Sequence, residues 1–172
     1  MVIWLIGLAG SGKTTVGREV YTNWKARDRS TVFVDGDEVR DIFRHNRGDE
    51  PYSVEGRRQN AERIASLCAW LDRQDINVVC CILSIFEETR RWSRANYSDY
   101  FEVYLHAPES ALTSRRHLYE EAEQGRMRNV VGVDIPFTPP ANPDLVIDSG
   151  PEGEPPEVAA ERILATALGT NP

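Results

Sequence analysis

The run Val2-Ile3-Trp4-Leu5-Ile6-Gly7-Leu8-Ala9-Gly10-Ser11-Gly12-Lys13-Thr14 decides how the rest of the chain is read. Five apolar residues without a polar break have the length and composition of a fully buried strand. Gly7 to Thr14 then match G-x-x-x-x-G-K-[ST]. Beyond them, Val16, Val20, Tyr21 and Trp24 recur at helical spacing between Lys13 and Asp28. Strand, glycine loop and helix in succession predict a phosphate-binding loop. The glycines let backbone N–H groups wrap a phosphate chain, and the helix N-terminus adds the positive end of its dipole. The expected donor-nucleotide residues are Gly7, Ala9, Gly10, Ser11, Gly12, Lys13, Thr14 and Thr15. Lys13 would reach the β- and γ-phosphates, and the Thr14 hydroxyl would join a magnesium shell. ATP and Mg2+ are therefore the expected cofactors.

The remaining sequence alternates strands and helices. Ser30 to Val34 reads as a second strand ending in Asp35-Gly36-Asp37, and Glu38 to Arg44 as a short helix. His45 to Ser53 is a loop. Ala61, Ile64, Ala65, Cys68 and Leu71 mark one face of a long helix from Val54 to Arg73. Ile76 to Leu83 is apolar throughout and predicts a central third strand. Glu87 to Asn96 is a polar helix, Phe101 to Leu105 a fourth strand, and a further helix starts near Pro108. Residues 115 to 142 are rich in Arg, Gly and Pro and lack periodicity. A short fifth strand at Leu145 to Ile147, a linker from Gly150 to Pro156 and a helix from Glu157 to Leu168 complete the chain. The pattern predicts one α/β domain over residues 1–172: a doubly wound, mostly parallel five-stranded sheet of the P-loop nucleoside triphosphate hydrolase/kinase type. The irregular segment would form a lid between strands four and five.

Charged residues make up 27% of the chain and its net charge is −7, which argues against a general nucleic-acid partner. Lys13 and Lys25 are the only lysines, so the basic residues are almost all arginines, whose forked guanidinium suits phosphate and sulfate. No apolar stretch is long enough to span a membrane. The chain enters a core strand at once, so no signal peptide is expected, and the expected compartment is the cytoplasm. Cys68, Cys80 and Cys81 read as buried, reduced thiols, with the adjacent pair facing opposite sides of the sheet. His45, His106 and His117 show no metal-ligand spacing. Trp4, Trp24, Trp70 and Trp92 read as packing residues.

Asp35-Gly36-Asp37-Glu38-Val39-Arg40 separates a kinase from other users of the loop. Phosphoryl transfer needs a carboxylate to position or deprotonate the attacking hydroxyl and oxygen groups to hold magnesium. Asp35 and Asp37, at a strand end, can serve both needs. The competing structural reading makes Asp37 the N-cap of the helix that follows. Strand three ends in Ser84 with no acidic residue at its tip, so Asp35 is the candidate magnesium carboxylate. The missing acid and the lack of an Asn-Lys-x-Asp motif weaken motor and GTP-switch readings.

Together these residues resemble the adenylylsulfate kinase family, whose members use ATP to phosphorylate the ribose 3′-hydroxyl of adenylyl sulfate. The resemblance runs from Ile6 to about Ile147. It is carried by Gly7 to Thr15, Asp35 to Arg40, Tyr52-Ser53 with Arg57 and Asn60, and Ser84. Leu118-Tyr119 and Gly132-Val133-Asp134 echo a mobile lid, and Asn142-Pro143-Asp144 its exit. The resemblance implies that Asp37, Lys13 and Asp35 are catalytic, with Thr14 and Asp35 on the metal. It implies that Arg40, Tyr52, Arg57, Asn60, Ser84 and Val130 line the acceptor site, and that the partner is a small nucleotide. Arg115 is the expected lid contact to the donor, and a homodimer is the expected assembly. Arg57 and Asn60 also read as the solvated face of a helix, and Arg40 as a surface arginine.

The departures fall on the acceptor side. The family holds the acceptor adenine between two phenylalanines; Tyr52 could replace one, but Val130 stands at the other. A valine forfeits stacking worth about 1–3 kcal/mol. Arg115-Arg116-His117-Leu118-Tyr119 is a shorter lid than the family's, without its acid, lysine and glycine. Glu38 stands where the family has Asn, and Glu87 where it has Arg. Such changes fit a sister activity, 3′-phosphorylation of cytidine diphosphoramidate in capsule pathways. Two further readings are a nucleotide-binding regulatory module and a small-metabolite kinase of shikimate or gluconate type.

Overall fold

The computed structural model describes residues 1–45, 47–108 and 116–169, with the side chains of 116–118 left aside. Five parallel strands form one sheet in the order β2-β3-β1-β4-β5. They are β1 (Val2–Ile6), β2 (Thr31–Asp35), β3 (Asn77–Ile82), β4 (Tyr100–His106) and β5 (Leu145–Asp148). The helices are α1 (Lys13–Arg27), α2 (Gly36–Ile42), α3 (Val54–Asp72), α4 (Glu87–Asn96), α5 (Arg116–Glu123) and α6 (Pro156–Ala167), with one 3₁₀ turn at Glu50–Tyr52. β1 lies in the middle and all five of its residues are buried, as an unbroken apolar run in a parallel sheet must be.

The two faces of the sheet carry separate cores. Val2, Trp4, Ile6, Val34, Cys80 and Ile82 pack against Ala61, Ile64, Ala65 and Cys68 of α3. Ile3, Leu5, Val79, Cys81 and Val103 pack against Val16, Val20 and Trp24 of α1 and Ala159, Ala160, Ile163 and Leu164 of α6. The adjacent cysteines do face opposite sides, and burial pushes both thiols well above their usual range. Trp4 stacks on Tyr97 with ring centroids 6.1 Å apart.

Three expectations change. The stretch read as irregular contains α5, while the helix expected near Pro108 falls on residues outside those described, except for Pro108 itself. β2 runs one residue further than read, so Asp35 is its last residue. Trp70 and Trp92 are substantially exposed on the outward side of their helices, although Trp92 still packs edge-to-face against Tyr97.

Candidate active site

The register of the sheet brings the ends of β1, β2 and β3 side by side: Ile6 pairs with Ile82, and Asp35 with Cys81. A cleft of about 750 Å³ opens over them, at the carboxyl edge of the sheet, where ligands of doubly wound folds collect.

Its floor on one side is the glycine loop. Gly10 and Gly12 hold φ of 88° and 82°, a left-handed geometry that turns successive N–H groups inward. Gly12 caps α1 without any side-chain hydrogen bond, and the first turn carries no acidic residue. The helix N-terminus is thus left to an anionic ligand. Lys13 Nζ donates to the Leu8 carbonyl at 2.6 Å, folding the lysine over the loop. Ala9, Gly10, Gly12, Lys13, Thr14 and Thr15 line the cleft. Gly7 and Ser11 stand behind it, packed so closely that a Cβ on Gly7 would lie 2.5 Å from Ser11 Oγ. From α5, Tyr119 donates its hydroxyl proton to the Ala9 carbonyl at 3.2 Å, so the segment between β4 and β5 reaches the loop.

Asp35 uses both carboxylate oxygens. Oδ2 accepts from Thr14 Oγ1 at 2.9 Å and Oδ1 accepts from the Asp37 backbone N–H at 2.9 Å. Asp35, not Asp37, is therefore the N-cap of α2. The helix starts two residues earlier than read, at Gly36, and this releases the Asp37 side chain from capping. That carboxylate is 78% exposed and accepts from Arg40 Nη1 at 2.5 Å, whereas the Arg40 side chain is only 8% exposed. Arg40 is thus no surface arginine.

In the same cleft, Tyr52 has two guanidinium groups near its ring, with Arg40 4.9 Å and Arg57 5.8 Å from its centre. Arg57 donates from Nε to the Tyr52 carbonyl and from Nη2 to the Asn129 carbonyl, both at 2.8 Å. Burial, and then the neighbouring positive charge of Arg40, lower the pKa of Arg57. Two cations sharing a cleft in this way favour an anionic ligand. Asn60 is buried and donates to the Gly36 carbonyl at 3.2 Å, leaving Oδ1 without a partner, so it is no solvated-face residue. Arg40 Nε is likewise buried without a partner. Strand β3 ends at Ile82, two residues before the expected end at Ser84, which is left-handed, φ 51°, with its carbonyl held by Arg90 Nη1 at 2.9 Å.

The fold therefore gathers the loop residues, Asp35, Asp37, Arg40, Tyr52, Arg57, Asn60, Ser84 and Val130 around one cleft. Arg115 lies outside the described residues. Sequence reasoning missed Asn129 and Asp49, which also line the cleft, because their neighbours lie far along the chain. The cleft joins the phosphate loop, a hydroxyl–carboxylate pair suited to a divalent cation, an exposed carboxylate and a cationic aromatic pocket.

A family model described as adenylylsulphate kinase matches residues 1–148 of the chain. The chain belongs to the adenylylsulphate kinase family. Among curated members, a cytidine diphosphoramidate kinase of Campylobacter jejuni is 37% identical over 150 residues, covering 86% of this chain and 85% of that protein. An adenylyl-sulfate kinase of Halothermothrix orenii is 33% identical over 154 residues, covering 88% and 82%. Among solved structures, the Mycobacterium tuberculosis APS kinase CysC in complex with AMPPNP and APS superposes with a TM-score of 0.82 at 26% identity, covering 98% of this chain and 97% of that one. This adenylylsulphate kinase family member is a P-loop kinase, a phosphotransferase with an alcohol group as acceptor.

Proposed function

We propose that this kinase transfers the γ-phosphate of ATP to the ribose 3′-hydroxyl of a nucleotide acceptor, adenylyl sulfate in the simplest case. The observation that carries the reading is the continuity of the cleft: the phosphate loop, Asp37 and the Tyr52, Arg40 and Arg57 side chains line one volume.

In this reading the loop N–H groups and Lys13 bind the triphosphate and neutralise the charge on the transferring group. Asp37, aimed by its bond to Arg40, orients the attacking hydroxyl and takes its proton. Arg40, Arg57 and Asn60 hold the anionic group and ribose of the acceptor, and Tyr52 offers its base a ring to stack on. Ser84 and Val130 complete the acceptor wall. The Thr14 hydroxyl and the Asp35 carboxylate, 2.9 Å apart on the cleft wall, fit a divalent cation such as Mg2+. That ion, when bound, supplies charge neutralisation between the phosphates.

A second acceptor, cytidine diphosphoramidate, is favoured by Val130, which lines the cleft at the position where the family carries its second phenylalanine. The Campylobacter relative carries that name. The reading treats the chain as one kinase domain working in the cytoplasm, where ATP is abundant and the buried thiols stay reduced. It also takes the protein as a homodimer, supported by the exposed Ile42, Phe43 and Trp70.

The test is ATP consumption with magnesium in three arms: adenylyl sulfate, cytidine diphosphoramidate and no acceptor. Turnover dependent on either nucleotide supports the reading, and the preferred one names the acceptor. Equal hydrolysis in all three arms refutes it.

A further inference from the structure

Residues 129 to 135 form a turn closed by one carboxylate. Asp134 Oδ2 accepts from the Asn129 N–H at 2.6 Å and Oδ1 from the Val130 N–H at 2.5 Å. The Val130 carbonyl takes the N–H groups of Val133, Asp134 and Ile135, at 3.1 to 3.2 Å, and Val131 and Ile135 anchor the turn by burial. Asn129 adopts φ 63°, the left-handed region that asparagine enters more readily than most residues other than glycine. In that conformation its N–H points to Asp134 while its carbonyl receives Arg57 Nη2. Arg57 in turn holds the Tyr52 carbonyl.

A chain of contacts thus runs from Asp134, which is exposed and does not line the cleft, through Asn129 and Arg57 to Tyr52, which do. Both Asp134 bonds are charge-assisted and hold adjacent N–H groups, the arrangement that best fixes a backbone turn. The hydrogen bonds of this chain run to Tyr52, while the same turn meets the donor side at Gly132, which lies close to Leu8 and Tyr119.

We propose that Asp134 is a positioning residue for the acceptor: its carboxylate sets the Asn129–Val130 wall and, through the Asn129 carbonyl, the aim of the Arg57 guanidinium. The assignment rests on reading this side of the cleft as the acceptor site. Without the carboxylate, Asn129 relaxes out of its left-handed conformation and Arg57 loses one of its two backbone anchors. Acceptor binding then weakens while ATP binding does not.

The test compares Asp134→Ala and Asp134→Asn with wild type. Asp134→Ala is expected to raise KM for the acceptor about tenfold or more and to leave KM for ATP within about twofold. Asp134→Asn, which keeps one acceptor oxygen, should fall between the two. Combined with Arg57→Lys, Asp134→Ala should be less than additive, since both act on one contact. Equal shifts in both KM values, or a loss of melting temperature with no KM change, would overturn the assignment. A second readout needs no acceptor: tryptic cleavage after Arg128, assigned by mass, should accelerate in Asp134→Ala. Failure of wild type to turn over either nucleotide would sink the acceptor reading alone, and an unchanged cleavage rate would sink the role of Asp134.

Discussion

Thr14 and Asp35 lie 21 residues apart and meet at 2.9 Å, hydroxyl to carboxylate, while the second oxygen of the same carboxylate caps α2. One side chain therefore ties the phosphate loop to the helix that carries Asp37. Asp35→Ala should remove both ties. Loss of the cap costs about 1 kcal/mol, which lowers the melting temperature by about 2–4 °C in a chain of this size. Turnover should fall by far more, about 100-fold or beyond, because the proposed metal ligand is lost as well. Thermal denaturation and steady-state rates on the same preparation separate the two effects.

Asp37→Asn keeps the shape of the side chain and removes its charge. If Asp37 takes the hydroxyl proton, the rate should drop about 10²–10⁴-fold. Because Asp35 rather than Asp37 caps the helix, the melting temperature should hardly move. Binding of a non-hydrolysable ATP analogue should also be retained. Near-normal turnover in this variant would remove Asp37 from the mechanism.

Gly56 lies at the start of α3, where a Cβ would stand 2.2 Å from the Glu50 carbonyl oxygen and 2.8 Å from two Pro51 backbone atoms. Alanine gains about 1 kcal/mol of helix propensity, but a backbone clash costs about 1–3 kcal/mol. The clash should win. The 3₁₀ turn must shift and carry Tyr52 with it. Gly56→Ala is expected to raise the acceptor KM by about fivefold, within the cost of a partly lost stacking contact, with the ATP KM unchanged. Kinetics with each substrate varied in turn provide the check.

Asp72 gives a pH-dependent prediction remote from the cleft. Burial works to raise its carboxyl pKa, but hydrogen bonds from Ser98 N and Ser98 Oγ, each 2.7 Å, and from the Met1 amino nitrogen at 3.3 Å outweigh it. The group ends below the ordinary carboxylate range. A depressed folded-state pKa means that the ionised form stabilises the fold above the unfolded value, about 3.9, and that this stability is lost as pH falls through the folded value. Asp72→Asn should lower the melting temperature by about 3–12 °C at neutral pH, the equivalent of about 1.5–3 kcal/mol. The gap to wild type should close below about pH 4. A gap independent of pH would mean that the charge of Asp72 contributes nothing.

What the sequence made legible was local. The strand, loop and helix around Gly7 to Thr14 declare themselves within a few residues through apolar run, glycine spacing and helical period. Asp35 and Asp37 could be placed at a strand end, but not told apart as cap and free carboxylate, since Gly36 can begin the helix or precede it. Arg57 was visible as a candidate, yet its bond to the Asn129 carbonyl spans 72 residues. No pattern in either segment encodes such a contact. α5 escaped notice because Arg116 to Glu123 offers only Leu118, Tyr119 and Ala122 as apolar positions amid charge. Trp70 misled for a related reason: a large aromatic suggests a core, while its place on the turn of α3 decides which way it faces.

The donor elements grow directly out of β1 and β2, whereas the walls around Tyr52 and Val130 belong to connecting segments pinned by a few hydrogen bonds. Those segments contribute no strand to the sheet. A gene of this architecture can therefore explore new acceptors through codons in these connections while the strands stay as they are. Divergence of substrate within such a lineage would leave its mark between residues 48 and 60 and again between 127 and 135, and almost none in the strands.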